Sequence, residues 1–302
     1  MLRCGLWDLY LSQDLLLSSS QPRAALKMRC SLREWDKALR LAETLAPEQT
    51  PEICLNYAEH LQAQAEYEHA LQRFGQALEP RFNAGGHHVD IDLSEEHVLA
   101  CRAGMAKMHL KLGNRTDGIK LAIGIKQAIE QGDMKLPIEC GDKVCIECAQ
   151  ILDSKPMGAP KGWCPPSEAA MLYEKGGNFE QAAHIFIKNK DLRAAELLMD
   201  KVGTPKLHKD FAKVKEKQGQ YREAADAYEK GRDTYNLVRM CLEHLQLPQR
   251  AFSLVRGTRD TKSAHDIAKY CLQNAGTHQH SLVRWRAGVS VFFVCQLMGR
   301  LH

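Results

Sequence analysis

Four cysteines in the middle of the chain have the spacing of a metal centre. Cys140, Cys145, Cys148 and Cys164 read C-x4-C-x2-C-x15-C. Four thiolates in such an order hold zinc or, with a similar leading spacing, an iron–sulfur cluster. Two features weigh against that chemistry. Cys148-Ala149-Gln150-Ile151-Leu152 has the pattern of an ordinary helix, and no turn residues lie between Cys145 and Cys148 to shape a knuckle. Free thiols beside a loop are the competing assignment. Asp90, Asp92 and Ser94 imitate the start of a calcium loop, but Glu95 stands where its glycine is required and Cys101 where its final glutamate belongs. His87 and His88 are adjacent, with no third ligand candidate nearby. The chain has no Gly-Lys phosphate loop, no Gly-x-Ser-x-Gly elbow and no His-Glu-x-x-His pair. No catalytic constellation emerges, and a function without catalysis is expected.

The pattern that does recur is one of packing. Tyr173-Glu174-Lys175-Gly176 returns as Tyr228-Glu229-Lys230-Gly231. Around both runs an Ala is followed four residues later by an aromatic and is often preceded by one three residues earlier. Tyr67, Ala70 and Phe74 show the full set, as do Phe179, Ala182 and Phe186, and Tyr221, Ala224 and Tyr228. Trp35 and Ala38 carry the first half. Ala169 and Tyr173 carry the second, with Pro166 where the first ring would stand. Leu192, Ala195 and Met199 form a less aromatic copy, and Arg115 and Gly118 a worn one. Offsets of three and four put each set on one helical stripe, where the small Ala lets a second helix approach and the rings fill the flanks.

The register 166, 179, 192 advances by 13 residues each time. That allows a helix of two to three turns and a tight turn, which Gly176-Gly177-Asn178 supplies. Helices so short are marginal alone in water and must bury their stripes against neighbours. The expectation is therefore all-α: an α-solenoid of short tetratricopeptide-like antiparallel helix pairs, with no β-propeller. Upstream, Trp35 and Tyr67 are 32 residues apart, near the period of about 34 of a tetratricopeptide pair.

Composition sets the bounds. Of 302 residues, 44% are hydrophobic, and the formal net charge is +4 with acids and bases interspersed. Nothing in that balance points to nucleic acid. Lys206, Lys209, Lys213 and Lys217 make a basic stripe opposite Leu207, Phe211 and Val214, which reads as the solvated back of an amphipathic helix or as a face for an acidic partner. Eleven cysteines in a chain of this length are not a disulfide scaffold, so a reducing compartment is expected and the sequon at Asn114 is expected to be unused. Asp8 and Asp14 interrupt the N-terminal apolar run, and no window has the eighteen or so apolar residues of a membrane span.

In chain order, helices are expected at 9–17, 24–30, 34–45, 51–64 and 94–112, the last capped by Ser94. Residues 83–92, 132–141 and 154–166 read as irregular. Further helices are expected at 236–244, 250–256 and 263–273. The resulting division is 1–130 for N-terminal helical repeats, 131–165 for an irregular connection, 166–276 for the short-helix solenoid and 277–302 for an unrelated tail. That tail has no Ala at the cadence position and is expected to be disordered or not authentic coding sequence.

Several runs carry a family resemblance. They are Leu26-Lys27-Met28-Arg29-Cys30, Trp35-Asp36-Lys37-Ala38-Leu39, the ten residues from Ser167 to Gly176, Thr204-Pro205-Lys206-Leu207-His208, and Gly219-Gln220-Tyr221-Arg222-Glu223-Ala224. In this order they resemble the helical part of the WD-repeat-containing core subunit of the intraflagellar transport A complex, over roughly residues 11 to 275. The resemblance implies a non-catalytic scaffold of retrograde ciliary transport that binds other intraflagellar transport A subunits in a hetero-oligomer, located in the cilium and in the cytoplasm at its base. A vesicle-coat or general adaptor solenoid is the alternative within the class. A zinc or iron–sulfur protein built on the four middle cysteines is the alternative outside it.

Overall fold

The structure is a computed structural model that describes residues 2–18, 22–79, 81–82, 88–89, 92–154, 166–258 and 261–274. It is all-α on the solenoid plan and divides into two compact units, Met1–Asn178 and Phe179–His302.

The first unit holds α1 (Leu2–Leu17), α2 (Arg23–Ser31), α3 (Trp35–Leu45), α4 (Thr50–Ala63), α5 (Tyr67–Leu78), α6 (Glu95–Leu112), α7 (Arg115–Glu130), α8 (Ile138–Asp153) and α9 (Pro166–Lys175). Each helix packs on the next one described, and α4 also touches α6, α6 touches α8, and α7 touches α9. Contacts to the next helix and the next but one are what two layers of antiparallel pairs produce. One two-residue ladder, β1 (Arg81–Phe82) antiparallel to β2 (His88–Val89), closes the link between α5 and α6. Among the described residues no helix is long and apolar enough to cross a membrane.

The second unit holds α10 (Phe179–Lys188), α11 (Leu192–Met199), α12 (Pro205–Lys217), α13 (Tyr221–Lys230), α14 (Thr234–Glu243), α15 (Pro248–Thr258) and α16 (Thr261–Asn274). Consecutive helices pack together, and α10 touches α12 as α14 touches α16. The 13-residue step runs further than the sequence pattern showed. Helices begin at 166, 179, 192 and 205, then at 221, 234, 248 and 261. The step across α12 is longer by three residues, because that helix has 13 residues where α13 and α14 have 10, and the step from 234 to 248 is longer by one.

One turn is used again and again. Positive φ at Arg33, Ala65, Gly113, Gly177, Lys190, Gly219, Arg232 and Gln246 lies in each case two residues before the first residue of a helix; Gly132 has it outside this turn. The residue after it takes a similar conformation, from φ −86° and ψ 64° at Glu34 to φ −106° and ψ 79° at Asp233. Its amide donates back across the turn, from Glu66 to the Leu61 carbonyl at 3.0 Å and from Asp233 to the Tyr228 carbonyl at 3.0 Å. This is the left-handed helix stop that caps orphan carbonyls. At the repeated Tyr-Glu-Lys-Gly runs the left-handed residues are the next ones along, Gly177 and Arg232, not the shared Gly176 and Gly231. The shared glycines have a different task. A Cβ on Gly176 would stand 2.8 Å from Ile146 Cγ1, and one on Gly231 would stand 3.0 Å from Lys209 Cγ. Each lets the end of its helix touch the preceding helix.

The stretch 132–141, expected to be irregular, contains the start of α8. Pro137 leads into the helix without needing a hydrogen-bonded N–H there. Gly141 belongs to a helix contact, since its Cβ would be 3.2 Å from Lys126 Cα. Helix α1 likewise begins at Leu2, seven residues ahead of the expected start. Residues 83–87, 90–91, 155–165 and 275–302 lie outside the described residues, and with them His87, Asp90, Cys164 and the whole 277–302 tail.

Candidate interaction surfaces

The Ala-aromatic stripes form the frame on which any surface is displayed. Ala38, Ala70, Ala182 and Ala224 are fully buried, as is Ala169 within 2%. The second rings, Phe74, Tyr173, Phe186 and Tyr228, are also buried. The first rings, Trp35, Tyr67, Phe179 and Tyr221, are half-buried, each the first residue of its helix. Each is roofed by a polar neighbour. Trp35 stacks on Tyr57 with centroids 5.8 Å apart and leans on His60. Lys111 Nζ lies 5.9 Å above Tyr67, and Lys201 Nζ lies 4.7 Å above Phe179. Tyr221 stacks on His244 at 3.8 Å. A cation over a ring face is attracted by its quadrupole, so Lys111 and Lys201 let the rings of Tyr67 and Phe179 end at solvent.

Sequence reasoning missed the receiver at Gly104, whereas Gly118 was read as the small residue of a worn copy. Phe74 lies against Gly104 of α6, where a Cβ would come within 2.5 Å of two ring carbons. Leu110 likewise fills the space above Gly118. In the sequence Gly104 looks like an ordinary helix interruption, and only the tertiary contact marks it.

Polar links tie the layers at specific heights. In the first unit Arg29 is fully buried. It donates through Nε to Gln13 at 2.7 Å and through Nη1 to Glu34, and its guanidinium lies over the Tyr10 ring. Lys37, and then Arg29, hydrogen-bond Glu34 and hold its carboxyl below the usual range against a smaller opposing effect of burial. Lys126 reaches Asp142 of α8, Glu130 of its own helix, and the Lys175 carbonyl that ends α9. In the second unit two neighbouring residues of α12 act in opposite sense. Lys215 is 3% exposed and holds Glu196 of α11 at 3.1 Å and Glu223 of α13. Burial works to lower its pKa, but the hydrogen bonds to Glu223 and Glu196 outweigh it and the net shift is upward. Glu216 accepts from Tyr228 at 2.7 Å and from Arg239 of α14 at 2.6 Å. Desolvation and that carboxylate push the Tyr228 phenol well up.

The described cysteines do not favour a thiolate centre. Cys140, Cys145 and Cys148 all lie in α8. Burial pushes the Cys145 thiol to about 11 and the Cys148 thiol to about 12, and Cys145 Sγ donates to the Ala122 carbonyl at 3.7 Å. A ligand thiol must lose its proton, and the apolar seats of these two oppose that. Ser94, read as a possible calcium ligand and as a cap, accepts from the His97 amide at 3.2 Å as an N-cap. Among the described residues no group of three or more His, Cys, Asp or Glu side chains could hold a metal ion.

Comparison with known proteins decides the kinship. The chain is 35% identical over 266 residues to human WD repeat-containing protein 19, and 35% identical over 266 residues to the mouse protein of the same name. The chain is homologous to part of WD repeat-containing protein 19. A nematode relative, WD repeat-containing protein dyf-2 of Caenorhabditis elegans, is 31% identical over 259 residues. The aligned part takes in 88% of this chain against the human and mouse proteins and 86% against the nematode one. The chain spans about 17% of the length of each of these curated relatives. No protein-family model matches it. These are the relatives toward which the motifs from Leu26 to Ala224 point, and none of their names states an enzymatic activity.

Proposed function

We propose that the chain is a non-catalytic scaffold segment of ciliary intraflagellar transport, working in complex A on the retrograde arm. It binds sister subunits through its helical repeats, chiefly between Pro166 and Gln273, in the cilium and the cytoplasm at its base. The observation that carries this reading is the 35% identity sustained over 266 residues with WD repeat-containing protein 19.

The chemistry of the described residues supports it. The thiol that lies beside a base is Cys101 Sγ, 3.5 Å from His97 Nε2. Burial holds that thiol at about 12, so the attacking thiolate is not available at neutral pH. The Ala-aromatic stripes serve packing, and a stack of helix pairs leaves the outward side chains free to choose partners. The test is affinity purification of the tagged full chain from ciliated cells, read by quantitative mass spectrometry. Enrichment of intraflagellar transport A subunits is the expected result. Recovery of vesicle-coat proteins without ciliary subunits would overturn the reading in favour of a coat adaptor.

A further inference from the structure

We propose that the lysine face of α12 docks an acidic helix of a partner chain, one whose carboxylates recur once per helical turn. This rests on the scaffold reading above and adds the chemistry of one partner. Lys206, Lys209, Lys213 and Lys217 follow one another at steps of three, four and four, so they share one face along about 16 Å of helix. Lys206, Lys213 and Lys217 are exposed. Lys209 is half-buried because its stem passes the open side of Gly231, where a Cβ would meet Lys209 Cγ at 3.0 Å. Lys213 pairs with Asp210 at 3.2 Å. Among the described residues Lys206, Lys209 and Lys217 have no carboxylate partner.

That imbalance is local. On the same helix Lys215 holds two glutamates. Elsewhere in the unit Lys230 pairs with Asp200 at 2.8 Å, Arg239 with Glu216 at 2.6 Å, and Arg250 with Glu229 at 2.6 Å. Apart from the Lys213–Asp210 pair, the face of α12 concentrates uncompensated positive charge on one straight line, and the field of such a line draws an acidic ligand. A helix suits the line because its own side chains recur at three and four, so every pair forms in one register. The face has no arginine to fork onto a phosphate and no aromatic on which a base would stack.

The chain carries its own acidic stretch, since residues 41–72 contain Glu43, Glu48, Glu52, Glu59, Glu66 and Glu68 and no Lys or Arg. On α4, however, Glu52 and Glu59 are two turns apart and would meet only every second lysine. A second copy is therefore the poorer fit.

The test uses the full chain and a labelled helical peptide of about 20 residues with glutamates at steps of three, four and four, against a scrambled peptide of equal composition. Fluorescence anisotropy is read at low and at moderate salt. Exposed ion pairs give about a two- to fivefold gain each, so the registered peptide should outbind the scrambled one by about tenfold or more. The preference should shrink as salt rises and vanish in the K206E/K209E/K213E/K217E variant. The milder Lys→Gln set, checked for unchanged helicity, gives the same readout should charge reversal unfold the chain. Equal binding of both peptides, or binding unaffected by the substitutions, would overturn the proposal. So would tighter binding of inorganic polyphosphate than of the peptide, or salt-sensitive self-association that the variant abolishes. The two readings fail separately. Ciliary subunits captured equally by wild type and variant, together with no peptide preference, would remove the docking face and leave the scaffold. A tenfold peptide preference with no ciliary subunit captured would do the reverse.

Discussion

The same substitution, Gly→Ala, is expected to act with opposite sign at two helix interiors of the first unit. At Gly124 of α7 an added Cβ meets nothing within 4 Å. The change there should only improve helix propensity, by about 1 kcal/mol. At Gly104 of α6 the added Cβ would stand 2.5 Å from Phe74 Cε1, 2.5 Å from Cζ and 2.8 Å from Cε2. Phe74 is 1% exposed, so its ring has nowhere to go without shifting α5 against α6. Overpacking a tight core costs about 1–3 kcal/mol. With contacts this short the upper half of that range applies, and subtracting the propensity gain leaves a net loss of about 1–2 kcal/mol. For a unit of this size that is a fall of roughly 2–8 °C in Tm. Urea unfolding followed by circular dichroism, with the m-value checked, measures both. The pair also admits a rescue. Phe74→Leu shrinks the ring, so Gly104→Ala should cost less in that background, and the double-mutant cycle should show a coupling of about 1 kcal/mol or more. If Gly104→Ala and Gly124→Ala shift stability in the same direction, Phe74 does not lie on Gly104 and the α5–α6 register is wrong.

Ala224→Trp should destabilise the second unit by about 1–3 kcal/mol or more, because Ala224 is 0% exposed between Tyr221 and Tyr228; an unchanged denaturation midpoint would place that stripe at the surface. Arg232→Gly should stabilise by up to about 1 kcal/mol, since Arg232 sits at φ 53° where a side chain is strained; thermal unfolding that moves downward would show the turn to be otherwise built. Tyr228→Phe removes the hydroxyl that donates to Glu216 at 2.7 Å and should cost about 1–2 kcal/mol, read by urea titration. For acid, the depressed carboxyl of Glu34 contributes stability that is fully present above its unfolded pKa of about 4.3 and is lost as pH falls through the lower folded value. Glu34→Gln should therefore flatten the acid limb of a stability–pH curve below pH 5, and a limb of unchanged slope would assign the loss to another group.

The fold class was legible because the stripes are. Ala70 and Phe74, or Ala224 and Tyr228, advertise a packed face through spacing alone, and the steps of three and four need no tertiary knowledge. Partners were not legible. Nothing in the chain before Gly104 announces that Phe74 must meet a residue without a Cβ, because the pair is 30 positions apart in sequence and defined only by how two helices cross. The 13-residue step past Leu192 was hidden by a different cause. At 205, 234, 248 and 261 the helices open on Pro, Thr, Pro and Thr, so no ring marks the first residue. Left-handed turns at Ala65, Lys190 and Arg232 were hidden in the same way, since only glycine advertises that conformation. The kinship was carried by ordered runs rather than by any single site, which is why residues with ordinary chemistry could point to it.

The repeated left-handed turn has a consequence for how such a chain tolerates length change. Within one continuous helix, an inserted residue rotates everything downstream by about 100° and carries each buried side chain away from its seat. Eight of the described helices, α13 among them, are entered afresh two residues after a left-handed stop, so the angular phase is set again at each of those turns and an error does not travel past it. The chain contains the demonstration: α12 is three residues longer than α13 and α14, close to one full helical turn, and α13 still begins with a half-buried ring at its first residue and a buried alanine three later. Length is thus a local variable, open to adjustment a turn at a time, while the order of the stack is inherited unchanged.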